Sequence, residues 1–345
     1  MRPKELTDLL KVQIEHGSNP DEEFGSLFIY GPPGIGKSRI VEDVANELGV
    51  GCVDFRLLLR DPSDLRGIPV PGHNGDGKPA ANWLPPAELP TNGQGFLFFD
   101  DFVTAPPLVQ ASAYQLTIRP HKLGEYQLPE GWVIVGAGNR PQDLTLAHPM
   151  PPALRTRFAT IVELEVNHDD WVEWAVTHNI RPEIIGLLSK FRPELLFQYD
   201  PRKFELTGFP CPRAWENASH NMDMLPSELW FEGVRGAVGE GAAIELRAYQ
   251  EIWSQLPDLD AIIEGKDDTI PHGVDLIYAC CVGLVSKADK QAHYNRLLDY
   301  ALKLEREYSI FLVKLLYHKS REQVTKSDKW GEFARILVNE EKILE

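Results

Sequence analysis

The residues best suited to chemistry lie at positions 31–38, GPPGIGKS. Gly31, Pro32, Pro33, Gly34, Ile35, Gly36, Lys37 and Ser38 fit the spacing Gly-x-x-x-x-Gly-Lys-Ser/Thr at every fixed position. The run follows an apolar stretch, LFIY at 27–30. It precedes apolar positions 40, 41, 44, 45 and 48, which fall at helical spacing and stop at Gly49. A strand, a glycine-rich loop and a helix in that order are the context in which such a loop binds phosphate. The glycines let the backbone curl so that its N–H groups face an anion. The helix adds the positive end of its dipole. Lys37 would reach the β- and γ-phosphates of ATP, and the Ser38 hydroxyl would hold Mg2+.

A nucleotide site also needs an acid for magnesium and a group that positions water. FLFFDD at 96–101 offers both, because two aspartates end an apolar strand. Ligands bind at the carboxyl edge of open α/β sheets. Asp100 is the expected Mg2+ partner, and Asp101 the candidate base or water-orienting group.

The elements that must position these groups can be read from periodicity. LFIY, residues 51–57, FLFF at 96–99, WVIVGAG at 132–138 and TIVELEV at 160–166 read as buried strands. They alternate with helical stretches, which implies a parallel α/β sheet with helices on both faces. From about residue 167 the pattern is helical. Leu297, Ala301, Leu304, Tyr308, Phe311 and Leu315 keep steps of three and four, predicting one long helix.

Composition sets outer limits. The chain has 345 residues, 43% of them apolar and 25% charged, which excludes a wholly disordered protein. Its 51 acidic and 35 basic side chains leave a net charge of −16. So large an acidic excess counts against broad, non-specific grip on nucleic acid or an anionic membrane. The longest apolar run, LIYACCVGLV at 276–285, falls short of the roughly 18–20 residues a spanning helix needs. Four cysteines without CxxC spacing read as reduced thiols of a cytoplasmic protein.

Seven ordered segments carry a family resemblance. They are GPPGIGKS, DLRGIPV at 64–70, WLPPAELP at 83–90, FLFFDD, VGAGNRPQD at 135–143, PPALRTRF at 151–158 and CPRAW at 211–215. With these, residues 5–225 resemble the AAA+ ATPases, in the MoxR-like branch with a helix-2 insert. The resemblance implies a three-layer P-loop NTPase sheet over 1–166, a helical lid over 167–225 and a helical C-terminal extension over 226–345. It implies that Asn139 is sensor 1 and orients the lytic water. It implies that Arg157 is an arginine finger entering a neighbouring subunit, a role Arg155 could share or take. It implies that Arg213 is the sensor 2 arginine of the lid. The active form would be a homohexameric ring that remodels a client protein, and a partner with a von Willebrand A domain is typical of the branch. Two alternatives stay open: a nucleic-acid remodelling ATPase, and a slow, nucleotide-gated assembly scaffold.

The scaffold alternative arises from one departure. The family usually carries Asp-Glu where this chain has Asp100-Asp101. Aspartate is one methylene shorter, so its carboxylate falls about 1.5 Å short. Misplacement near 1 Å can cost about 10²-fold in rate. Two insertions complete the expectations. Residues 67–82 would be the helix-2 insert, a loop with a mobile tip. Residues 119–131 would form a hairpin carrying a small basic cluster of Arg119, His121 and Lys122.

Overall fold

The computed structural model describes residues 1–17, 25–73, 75–113, 115–143, 148, 150–203 and 206–340. The chain divides into two compact units, residues 1–166 with 201–203, and residues 167–200 with 204–345.

The first unit is an α/β sandwich. Its elements run α1 (Pro3–Gly17), β1 (Leu27–Tyr30), α2 (Lys37–Leu48), β2 (Gly51–Asp54), α3 (Pro62–Arg66), β3 (Ile68–His73) and β4 (Pro79–Leu84). They continue through β5 (Gly95–Phe99), α4 (Pro107–Ala113), β6 (Lys122–Leu123), β7 (Tyr126–Gln127), β8 (Trp132–Gly138), α5 (Pro152–Arg155) and β9 (Thr160–Glu163). The main sheet has the order β2-β5-β8-β1-β9, parallel throughout.

Strand alternation explains the three layers. Successive side chains point to opposite faces. Phe28, Leu97, Phe99 and Ile134 therefore share one core with Val109 and Ala113 of α4. The intervening Leu27, Ile29, Phe96, Phe98 and Val135 are as deeply buried on the other face, where α1 and α2 pack against the sheet. Helix α2 stops at Gly49, whose left-handed φ of 66° suits glycine and turns its N–H back onto the Ala45 and Asn46 carbonyls.

Two stretches differ from their sequence reading. The insert at 67–82 is more regular than a loop: β3 and β4 pair antiparallel over six residues each. Arg66 stacks over the Trp83 ring at 4.7 Å and anchors the base of this hairpin. In the second hairpin, β6–β7, His121 does not act as a surface cation. Its Nδ1 lies 2.6 Å from the Leu116 carbonyl, and burial pushes the imidazole below its ordinary value. The basic cluster there reduces to Arg119 and Lys122.

The second unit is helical among the described residues. It comprises α6 (His168–Thr177), α7 (Pro182–Gly186), α8 (Pro212–Met224), α9 (Trp230–Val238) and α10 (Glu240–Trp253). It continues through α11 (Leu259–Ile263), α12 (Val274–Lys287), α13 (Gln291–Ala301), α14 (Arg306–Lys319), α15 (Arg321–Thr325) and α16 (Trp330–Glu340). Helix α7 runs on into a π-helical turn, Leu187–Phe191. The run LIYACCVGLV lies in α12, where every residue from Tyr278 to Val285 is buried. It is apolar all round because it is the central helix of this unit. Among the described residues no helix is long and apolar enough to cross a membrane.

The single long helix expected across 297–315 is two helices. α13 ends at Ala301 and α14 begins at Arg306. Leu297, Ala301, Tyr308 and Leu315 are all buried, so the apolar rhythm continues across a turn that interrupts the helix.

Candidate functional site

Parallel register brings the chemistry to one edge. Tyr30 pairs with Gly138, and Phe99 with Gly136. Gly31, Asp100 and Asn139 therefore all lie just past the carboxyl ends of three adjacent strands. Gly136 and Gly138 make the fit possible. A Cβ at either would lie 2.7 Å from the Phe28 ring or 2.5 Å from Val103 Cγ2.

In the loop, Gly34 and Gly36 hold left-handed φ values of 77° and 97°. Such values are open to glycine at little cost. Lys37 is 7% exposed. Its ammonium donates to the carbonyls of Gly31 and Pro32, both at 2.9 Å, and to Asn139 Oδ1 at 3.0 Å. Ser38 Oγ donates to Asp100 Oδ2 at 2.8 Å. Two P-loop side chains thus touch the ends of two other strands. A hydroxyl and a carboxylate in contact are hard oxygen donors of the kind Mg2+ takes, so Ser38 and Asp100 fit that ion.

Asp101 is exposed and has a left-handed φ of 49°. A non-glycine residue in this region carries some strain, and aspartate tolerates it better than most. Its carbonyl accepts from Thr104 Oγ1 at 2.6 Å, which fixes the turn. Asp100 Oδ1 accepts from the Asp101 N–H at 3.0 Å.

Arg155 ends α5 and is exposed, and Arg157 follows it, half-buried. Burial raises the Tyr30 phenol above its ordinary value while the Arg155 cation opposes it, so Arg155 is within electrostatic reach of the strand that leads into the loop. Arg213 occupies the first turn of α8 in the second unit and is exposed.

Three aromatic rings tie this edge together. Phe28 of β1, Phe102 after Asp101 and Phe158 after Arg157 form an edge-on triangle with centroid separations of 5.8, 5.0 and 5.8 Å. Phe158 is 4% exposed. Phe158→Ala should therefore cost about 3–5 kcal/mol, the usual range for a buried phenylalanine. In a thermal melt that would lower the midpoint by roughly 10 °C. A change under about 2 °C would contradict this packing account.

Sequence reasoning missed two groups. Arg140 donates to both carboxylate oxygens of the buried Asp143, and its Nη1 donates to Glu163 at 2.9 Å. This clamp fixes the residue after Asn139 against β9. The Asp143 hydrogen bonds, opposed by burial, hold the guanidinium above its ordinary pKa. The signal was an Arg-x-x-Asp turn directly after Asn139. Arg56 bonds Asp54 at 2.8 Å and adds a cation within electrostatic reach of Asp100 and Asp101.

No family model matches the chain. RuvB subunits of the Holliday junction branch migration complex are similar over a short stretch. The Crocosphaera subtropica protein is 36% identical over 74 residues, covering 21% of each chain. The Treponema denticola protein is 37% identical over 81 residues, covering 20% of this chain and 23% of its own. The chain thus spans about a fifth of the length of the curated relatives it matches. Among solved structures, a point variant of Thermotoga maritima RuvB overlays on 87% of both chains with TM-score 0.40 and 17% identity. The Thermotoga maritima RuvB branch migration motor covers 97% of this chain and 88% of its own, with TM-score 0.36 and 16% identity. The five-stranded parallel sheet with its P-loop, followed by a helical region, is the architecture expected of an AAA+ core.

Proposed function

We propose that the protein is an AAA+ ATPase of MoxR-like type that works as a ring and spends ATP on remodelling or assembling a client protein. The observation that carries this reading is the convergence at the sheet edge, where Lys37 meets Asn139 and Ser38 meets Asp100. The loop amides and Lys37 would bind the phosphates of ATP. Ser38 and Asp100 would hold Mg2+, which when bound neutralises charge on the phosphate oxygens. The Asp101 carboxylate accepts the proton of the attacking water, and the Asn139 amide orients that water. Arg157, or Arg155 beside it, is lent by an adjoining copy and stabilises charge on the transferred group. Arg213, in the segment 167–225 read as the lid, reports the γ-phosphate. Residues 226–345 would form a helical extension beyond the lid, and a von Willebrand A-domain protein is the expected adaptor.

Asp101 substitutions test this. Asp101→Asn should lower turnover at least about 10²-fold, as loss of a general base does, while ATP binding persists. Asp101→Glu should keep measurable turnover. A parent that hydrolyses no ATP, yet assembles when ATP is added, would leave only the scaffold reading. The likeness to RuvB favours a second reading, remodelling of nucleic acid. ATP turnover that rises with DNA, in a salt-dependent way, would select it. Proteins retained by Asp101→Asn in the presence of ATP would identify a protein client.

A further inference from the structure

The helical unit holds a cavity that shares no residue with the proposed ATP site. Its volume is about 730 Å³, within the roughly 300–1,000 Å³ of ordinary ligand pockets. It is walled by the first turns of α6, the π-helical turn Leu187–Phe191 with Pro193 just after it, and α14. The α14 contribution is one helix face, because Arg306, Ile310, Lys314 and His318 follow steps of four. π-helical turns are rare and occur often at functional sites.

The lining is two-toned. Val172, Ile310, Phe311 and Leu315 give an apolar floor. Lys190, Arg306 and Lys314 line it together with the carboxylates Asp169 and Glu307 and the imidazoles His168 and His318. Neither acid is simply open to the cavity: Glu307 accepts from the Tyr278 hydroxyl, and Asp169 lies 3.7 Å from His168 Nδ1. The Lys190 ammonium is held over the faces of Tyr278 and Phe311 at 5.4 and 5.5 Å, which fixes a positive charge beside an aromatic wall. This concentration of cations occurs in a chain of net charge −16.

We propose that this cavity binds an organic anion with an apolar body. Lys190, Arg306 and Lys314 hold its charged group, and Phe311, Ile310 and Val172 take its hydrocarbon. A free aromatic carboxylate and the carboxyl-terminal residue of a peptide present this same chemistry.

Anilinonaphthalene sulfonate is a fluorescent probe of that class, and the full-length chain can be titrated with it directly. Saturable binding at one site is expected. The double variant Arg306→Glu/Lys314→Glu should weaken it about tenfold or more at an unchanged melting temperature, since losing the charge-assisted contacts together costs on the order of a decade or more in affinity. If that variant melts early, Lys314→Gln serves instead and should weaken binding severalfold. Lys266→Glu, an exposed lysine outside the cavity, should have no effect. Phenylbutyrate displacing the probe assigns the pocket to free carboxylates. Displacement by the peptide Ala-Ala-Phe with a free carboxylate, and not by its amide, assigns it to a peptide end. Equal displacement by acid and amide, displacement by neither, or unchanged affinity in the charge variants overturns the proposal.

Discussion

Arg157→Ala should lower ATP turnover by about 10³–10⁵-fold, the range an arginine finger supplies in phosphoryl transfer, while ATP affinity stays within a few-fold of the parent. The asymmetry follows from the proposed role. The guanidinium meets charge that develops on the transferred group, and so it acts on the transition state more than on bound ATP. Because the arginine would act in the neighbour's site, mixing decides the case. A small fraction of Arg157→Ala subunits added to parent protein should depress turnover more than in proportion. Strictly proportional loss would mean that each copy works alone. Full activity in Arg157→Ala with loss in Arg155→Ala would move the finger to Arg155, the exposed residue within reach of Tyr30.

Lys37→Met should abolish measurable ATP binding, a loss of at least about 10²-fold. A charge-assisted hydrogen bond is worth about 1.5–3 kcal/mol, and the lysine is expected to make more than one to the phosphates. Methionine keeps the aliphatic stem and removes a buried cation that bonds two carbonyls and an amide oxygen. The apo fold should therefore survive. Melting with and without ATP and magnesium reads both effects. The parent should gain stability with ligand, as any protein does that binds only when folded. The variant should melt at one temperature in both conditions. A ligand-induced shift that persists in Lys37→Met would place the nucleotide elsewhere.

How much of this was legible depended on how local each signal was. β1, β5 and β8 are short apolar runs that end in glycine or aspartate, so both strand and loop could be read in place. The β3–β4 hairpin was hidden by Pro69, Pro71 and Pro79, which read as breakers. A two-stranded ribbon leaves one edge of each strand unpaired, and proline is tolerated there. The break between α13 and α14 contains neither glycine nor proline, and the apolar spacing runs through it, so no sequence rule marks it. At the site, each motif could be found alone, yet the contact of Lys37 with Asn139 spans 102 residues and follows only from strand order. The Arg140–Asp143 clamp was spelled out beside Asn139, but an Arg-x-x-Asp turn is common and its meaning depends on β9 lying alongside. The cavity of the helical unit draws on residues 168–318 and has no local signature at all.

The triangle of Phe28, Phe102 and Phe158 has a mechanical consequence. One ring sits on the strand that feeds the phosphate loop, one follows Asp101, the proposed base, and one follows Arg157, the proposed finger. Edge-on rings this close cannot slide independently, so the three backbone segments share a pivot. In an assembled ring, a subunit whose phosphate loop shifts on losing its γ-phosphate would tilt the arginine it presents to its neighbour. The order in which subunits fire would then be carried by three phenylalanines, with no separate signalling loop required.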